Sequence, residues 1–409
     1  MNRSKKRTWL VNGLMVLISL VIVLVFLEVA VRLLHLGTGG FWEPYSLYGW
    51  RNIPNAKGWE SCYGECQVHV EINSKGLRDI EIPFEKPAGT ERVLLLGDSM
   101  TAAMQVPLED SFGKVSEREL NEQLSDDVWQ VVNGGINGFG TDNELLFYRL
   151  EGKDYQPDIV VLDIYLANDI YNNSYELETS LGGNGHKPYF TLDDDDQLII
   201  HNFPVEGTNN LFIKIGTFLK KHFQLPRFIA QVLDLRTNVP TALQPLVELV
   251  SGERGAQQIQ EREQDTGENN NGQANGNGQA NGRRVNICAQ QYAPQIEEAW
   301  AITKALILQL QEEVEAEDAQ LVVVAIPAAP QLVPPAEGKS WYCDRPNEEL
   351  DSFLDQASIP YLDLLAPFRQ HALDNGDPLY YETDFHLNAE GHHLAGELLG
   401  QFLSEVAKQ

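Results

Sequence analysis

Positive charge is in short supply in this chain. Its 409 residues carry 30 Lys and Arg against 59 Asp and Glu, a formal net charge of −29. Nucleic-acid binding requires clustered cations, so this balance argues against it. A polyanionic substrate is disfavoured on the same ground, although a local patch can override an average. Cysteine is also scarce, with four in the chain. A zinc site at Cys62-x-x-x-Cys66 finds no second Cys or His pair at useful spacing, so no metal is expected. Long apolar runs are limited to one. What the chain has in quantity is core-forming composition, 43% apolar, which excludes a disordered protein. Its length suffices for one large domain or two small ones with attachments.

The one long apolar run spans Trp9 to Leu27, interrupted by Asn12, Gly13 and Ser19 alone. Its length is about that needed to cross roughly 30 Å of hydrocarbon. Arg3, Lys5, Lys6 and Arg7 precede it, so the positive-inside rule places the N-terminus in the cytoplasm and the rest of the chain outside. The lipid bilayer is thus an expected partner through residues 1–35. The run is longer than a signal-peptide apolar region, and no clear small-x-small site follows it, so an uncleaved anchor is preferred to a cleaved signal. Glu28 and Arg32, four apart, can pair across one helical turn at its outer end. An external location makes the cysteines candidates for disulfides. Cys62 and Cys66 can close a small loop, leaving Cys288 and Cys343, but three connectivities are open.

Residues 36–90 read as a lead-in with short β segments, such as the alternation Gln67 to Ile72 and a turn over Asn73 to Asp79. From residue 91 strands and helices alternate. Near-continuous apolar runs at Arg92–Leu96, Val128–Val132, Asp158–Tyr165 and Leu321–Ile326, with a shorter one at Ile359–Leu364, read as parallel strands covered on both faces. Helices are expected over Phe112–Leu124, Asp142–Leu150, Pro294–Glu315, Asn347–Gln356 and Ala389–Val406, the last capped by Asn388. The expected fold is therefore α/β, with 91–171 and 292–409 forming one doubly wound core.

Residues 172–291 read as an insertion. Pro188–Leu192 and Leu198–Asn202 form an expected hairpin whose turn is the solvated run Asp193 to Asp196. Leu211, Phe212, Ile215, Phe218, Leu219 and Phe223 fall at helical spacing, with Lys214, Lys220, Lys221 and Arg227 around them. That basic amphipathic stretch is expected to pack over the active site; the alternative is an anionic membrane surface beside the anchor. Residues 256–284, almost entirely Gln, Asn, Gly, Glu and Arg, are expected to be disordered.

Strand 92–96 ends in Leu96-Gly97-Asp98-Ser99, which puts a serine hydroxyl at the carboxyl edge of the sheet, where open α/β sheets place their chemistry. A base for it is available in His386, in the loop before the last helix, with Asp384 two residues earlier to hold the imidazole tautomer. Gly138, in the Gly-rich turn after the second strand, lets a backbone N–H approach a reacting oxygen. Asn168, ending the third strand in Asn168-Asp169, can donate a side-chain N–H to an oxyanion. Taken singly, each has an ordinary structural role; in this order along successive strand ends they form a joint signal.

These residues resemble the four blocks of the SGNH, or GDSL-type, hydrolase superfamily: Gly97-Asp98-Ser99, Gly138, Asn168-Asp169, and Asp384 with His386. The resemblance covers about half the chain, 91–171 and 292–409. It implies a flavodoxin-like three-layer α/β/α sandwich on a mostly parallel five-stranded sheet, with no metal and no cofactor. Two positions depart from the pattern. Leu166 stands where the third block begins with glycine, and Thr383 stands where the last block usually has its Asp, leaving Asp384 one residue closer to His386. Glu382 is the reserve candidate for the orienting acid.

The resemblance implies Ser99 as nucleophile, His386 as base, Asp384 as its orienting acid, and an oxyanion hole of the Ser99 and Gly138 N–H groups with Asn168. Asp98 is expected to brace the turn. The expected protein is a membrane-anchored extracytoplasmic serine esterase or deacetylase acting on an ester-bearing small molecule, lipid or polysaccharide. Two alternatives remain: an O-acetyltransferase for a cell-envelope polysaccharide, and a non-catalytic envelope binding protein. With one span, a transferase needs a separate protein to bring acyl groups across.

Overall fold

A computed structural model describes residues 3–62, 64–124, 128–180, 183, 185–233, 278–280, 283–285, 288–289, 291–332, 343–377 and 379–408. The chain divides into two compact units, 1–41 with 215–267, and 42–214 with 268–409.

The first unit opens with helix α1 (Arg3–Leu33), whose stretch Arg7–Leu33 is long and apolar enough to cross a membrane, as a signal sequence near an N-terminus also is. In the second unit, β1 (Trp42–Tyr45) pairs antiparallel with β2 (Gly49–Asn52), and β3 (Lys57–Ser61) with β4 (Gln67–Glu71). Then come β5 (Thr90–Leu96), α2 (Ser99–Ala102), α3 (Phe112–Gln123), β6 (Val128–Asn133), α4 (Thr141–Leu150), β7 (Ile159–Tyr165), α5 (Asp169–Asn172) and α6 (Tyr175–Ser180). The hairpin β8 (Tyr189–Leu192) and β9 (Leu198–His201) follows. Its turn is held by Asp193, whose carboxylate accepts from the N–H groups of Asp195 and Gln197, both at 2.9 Å.

Next come α7 (Leu211–His222), which straddles the boundary between units, and α8 (Leu225–Leu233). Two short strands, β10 (Gly278–Ala280) and β11 (Arg283–Val285), pair within the stretch expected to be disordered; the rest of 256–284 lies outside the described residues. The core resumes with α9 (Pro294–Glu315), β12 (Gln320–Ile326), α10 (Arg345–Ala357), β13 (Tyr361–Asp363), α11 (Leu365–Asn375) and α12 (Ala389–Val406). Asn388 caps α12, its side chain accepting from Gly391 N–H at 2.8 Å.

The central sheet is all-parallel with order β13-β12-β7-β5-β6. Its strands read as continuous apolar runs because successive side chains point to opposite faces and both faces are covered. Leu94, Leu96, Val160 and Leu162 enter the core layer beneath α4, α9 and α10. Val93, Leu95, Val161 and Val322 enter the other, beneath α3, α11 and α12. The sandwich is thus α/β/α, as the strand pattern requires. The lead-in is built into it: Tyr48, Trp50, Leu77 and Ile82 are buried in the first of these layers.

Both disulfides form, Cys62–Cys66 and Cys288–Cys343. The first removes the thiolates that a zinc site at Cys62 and Cys66 would need. No residue of α7 is buried.

Candidate active site

Ser99 begins α2 directly after β5, and Asp98 caps that helix by accepting from the Met100 N–H at 2.8 Å. The turn is tight at Gly97, where a Cβ would meet Thr101 Oγ1 at 2.2 Å and Asp163 Cβ of β7 at 3.0 Å. Only glycine lets the turn that carries Ser99 lie this close to the neighbouring strand. At the other end of α2, the buried Arg78 guanidinium donates to the carbonyls of Ala102, Ala103 and Val106. A residue of the lead-in therefore satisfies the carbonyls left open where this one-turn helix stops.

His386 lies in the loop before α12, with Nε2 2.8 Å from Ser99 Oγ and Nδ1 2.7 Å from Asp384 Oδ2. With Nδ1–H donating to the carboxylate, Nε2 is left as the acceptor for the serine hydroxyl. Burial works against charge on the imidazole, but the hydrogen bond and negative charge of Asp384, with Asp98 behind, outweigh it and raise the His386 pKa above 6.5. The intervening residue, Phe385, adopts a left-handed φ of +59°, which is uncommon for a bulky side chain. Cross-loop hydrogen bonds hold this bend, Tyr381 N–H to His386 O at 2.8 Å and Phe385 N–H to Tyr381 O at 3.2 Å. Glu382 makes no such contact with the imidazole; its N–H is bound elsewhere.

That partner is Glu65, in the loop closed by Cys62–Cys66. Its carboxylate accepts from the backbone N–H groups of Glu382 at 3.0 Å, Thr383 at 3.0 Å and Asp384 at 3.3 Å. One side chain from the lead-in thus ties down the segment that carries the imidazole's acid. Sequence pattern offers no signal for this residue, because an exposed glutamate in a short loop looks like any other.

Asn168 stands after β7 at the N-cap position of α5, with no side-chain capping bond. Its Nδ2 donates to Asp98 Oδ2 at 2.9 Å, so Asp98 braces the Ser99 turn and the amide together. Burial holds the Asp98 carboxyl above its ordinary range, against the pull of these donors. Gly138 follows β6 with a φ of +77°, in the left-handed region that glycine alone enters without strain. Trp50 Nε1 donates to Asn137 O at 2.9 Å and steadies the turn beside it. The same segment joins the Ser99 turn through Ile136 N–H, which donates to Gly97 O at 3.1 Å.

Ser99, His386 and Asp384 are therefore linked by direct hydrogen bonds, and Asn168 is linked to them through Asp98. Gly138 is placed in the turn beyond β6 at the same sheet edge. Beneath them lie further buried carboxyls. Asp163 Oδ2 accepts from Thr101 Oγ1 at 2.7 Å, and burial, then the charge of Asp98, pushes Asp163 well above the usual carboxylate range. Lys187, from the inserted segment, is fully buried against Asp142 at 2.9 Å and Glu178 at 3.0 Å.

No family model matches the chain. An arylesterase of Vibrio mimicus is 35% identical over 80 residues, 20% of this chain and 38% of the arylesterase, so the match spans well under half of that protein's length. Among solved structures, an acetyl xylan esterase covers 76% of this chain and 98% of its own at 11% identity and a TM-score of 0.36. A psychrotrophic esterase from Pseudoalteromonas sp. covers 78% and 100% at 10% identity and 0.36. A two-domain esterase active on acetylated mannans covers 79% and 51% at 9% identity and 0.34. The five-stranded parallel sheet thus carries the hydrogen-bonded Ser99, His386 and Asp384 at its carboxyl edge, with Asn168 beside them.

Proposed function

We propose that this chain is a serine esterase or deacetylase that works through an acyl-Ser99 intermediate and is held at the outer face of a membrane by α1. The observation that carries the reading is the hydrogen-bonded chain from Ser99 Oγ through His386 to Asp384. Ser99 Oγ attacks the ester carbonyl carbon while its proton passes to His386 Nε2. The imidazolium so formed is stabilised by Asp384, which keeps its own charge. The N–H groups of Ser99 and Gly138 and the free N–H of Asn168 hold the oxyanion. His386 then protonates the departing alkoxide. Water repeats the sequence in reverse, releasing the acid and restoring Ser99.

Location is supported by three features. The apolar stretch Arg7–Leu33 is long enough to span, basic residues precede it, and both cysteine pairs are oxidised. Substrate is proposed only by class, an ester borne by a small molecule, a lipid or an acetylated polysaccharide.

The test uses the full chain in detergent, with and without Ser99→Ala. Fluorophosphonate labelling and hydrolysis of a short-chain aryl acetate are expected, and both are expected to vanish in the variant. A folded wild type that neither labels nor turns over refutes the reading and favours a binding protein. Turnover that rises on adding a polysaccharide hydroxyl, with acetyl appearing on it, assigns the chain to the transferases instead.

A further inference from the structure

The first unit contains a second polar clamp, remote in sequence from the candidate active site, between the outer end of α1 and the helix pair α7–α8. The Glu28 carboxylate accepts from the N–H groups of Gln224 at 3.0 Å, just before α8, and of Leu225 at 2.8 Å, its first residue. Arg32, paired with Glu28 at 2.6 Å, donates from its other nitrogen to the carbonyl of His222, the last residue of α7. One ion pair on α1 thereby satisfies the end of one helix and the start of the next. The backbone beyond α1 also lies against α8. Gly37 has a φ of +73°, and a Cβ there would meet Gln224 O at 2.6 Å and Phe228 N at 2.8 Å. The Arg227 guanidinium lies over the Phe41 ring, 5.0 Å from its centroid.

The position of this clamp along α1 sets its depth. At ~1.5 Å rise per residue, Glu28 lies roughly 32 Å along the axis from Arg7, about one hydrocarbon thickness. With Arg7 at one interface, Glu28 and Arg32 come to the opposite headgroup layer, and so does the junction of α7 and α8. A clamp of charged groups fits that depth and no deeper one.

What the pair presents there is an unburied apolar face with cations beside it. Leu211 is 69% exposed, Phe212 84% and Phe218 56%, and Ile215, Ile229 and Val232 are exposed as well. Residues 211–233 contain no carboxylate, in a chain of net charge −29; Lys214 is exposed and Lys220 and Lys221 are half-buried, while Arg227 is turned inward, buried and bonded to the Lys220 carbonyl. Lys214 and Lys221, seven apart, share a flank of the α7 stripe. Exposed phenylalanines on a soluble surface cost solubility; at an interface they are the groups that enter the acyl boundary.

We propose that α7 and α8 lie in the outer headgroup layer of an anionic membrane, apolar face inserted, clamped to the end of the spanning helix by Glu28 and Arg32. The occupant of the exposed face is lipid, argued from its continuity with α1 and from the charge of its flanks. The proposal rests on α1 being an anchor, and goes beyond that reading by assigning a second, interfacial contact. Near an anionic surface each lysine or arginine adds attraction, so the preference is for acidic lipid.

The test reconstitutes the full chain with Phe212→Trp into vesicles of phosphatidylcholine, with or without phosphatidylglycerol, carrying bromine on the acyl chains. The emission added relative to wild type is expected to shift to the blue and to lose most of its intensity to bromine. The loss is expected to be greater with phosphatidylglycerol, and to shrink there in Phe212→Trp combined with Lys214→Glu and Lys221→Glu. Protein that floats with the vesicles and resists carbonate, yet whose added emission stays unquenched in both lipids, overturns the interfacial contact and leaves the anchor standing. That outcome also describes a face kept for a protein partner. Equal quenching in the two lipids overturns the anionic preference. Wild-type chain that does not float removes the anchor and the inference with it.

Discussion

Removing the Glu65 carboxylate tests whether the lead-in positions the candidate catalytic acid. In Glu65→Ala three peptide N–H groups, of Glu382, Thr383 and Asp384, lose a charged acceptor. A hydrogen bond to a charged group contributes about 1.5–3 kcal/mol net, but these N–H groups face water, which takes over part of the role. The loop should lose roughly 1–2 kcal/mol of preference for the conformation that sets Asp384 2.7 Å from His386, the equivalent of one well-made bond of this class. At 1.36 kcal/mol per tenfold, that is a fall in kcat/KM of about 5- to 30-fold. Glu65→Gln keeps an acceptor oxygen and loses the charge, so it should fall between Ala and wild type. The assay is aryl-acetate hydrolysis, with thermal unfolding followed in parallel. Glu65 acts through Asp384, so in an Asp384→Ala background Glu65→Ala should cost almost nothing more. An equal cost in both backgrounds, or a kcat/KM unchanged in the single variant, refutes the reasoning.

Four further outcomes are expected. His386 must be neutral to act as base, so kcat/KM should fall as pH drops through a value above 6.5; Asp384→Asn, which removes the main group raising that pKa, should move the acid limb downward. The same raised pKa stabilises the fold fully below 6.5, and that contribution is lost as pH rises through the raised value, so stability and activity change in opposite directions across this window, which pH-resolved urea unfolding of wild type and His386→Ala measures. Asn168→Ala should lower kcat by about 10²- to 10³-fold with little change in KM, as loss of one oxyanion donor does. Breaking Cys288–Cys343, which spans 55 residues, by Cys288→Ser with Cys343→Ser should cost about 4 kcal/mol in denaturant unfolding by the loop-closure relation.

Much of the architecture was legible from local pattern. The apolar runs, the glycine at the end of β5 and the asparagine before α12 are signals spaced over a few residues. Each reflects a local cause, such as a strand buried on both faces, a turn that tolerates no Cβ, or a cap for open N–H groups. Ser99, His386, Asp384, Asn168 and Gly138 could therefore be chosen from strand ends and a loop. The strand at Ile359–Leu364 is shorter in the fold, Tyr361–Asp363, because only three residues pair along the β12 edge.

Other features depended on contacts that no local period records. Glu65 and Asp384 are 319 positions apart, and nothing in either segment announces the other. The same holds for Asp98 and Asn168, for Arg78 at the end of α2, and for Glu28 at the start of α8. The basic amphipathic stretch shows the limit most clearly. Its spacing determined a helix with one apolar face, but spacing is a property of a single helix and says nothing about what covers that face. The exposure of the stripe and its clamp to α1 belong to the tertiary structure, because burial is decided by where distant segments arrive.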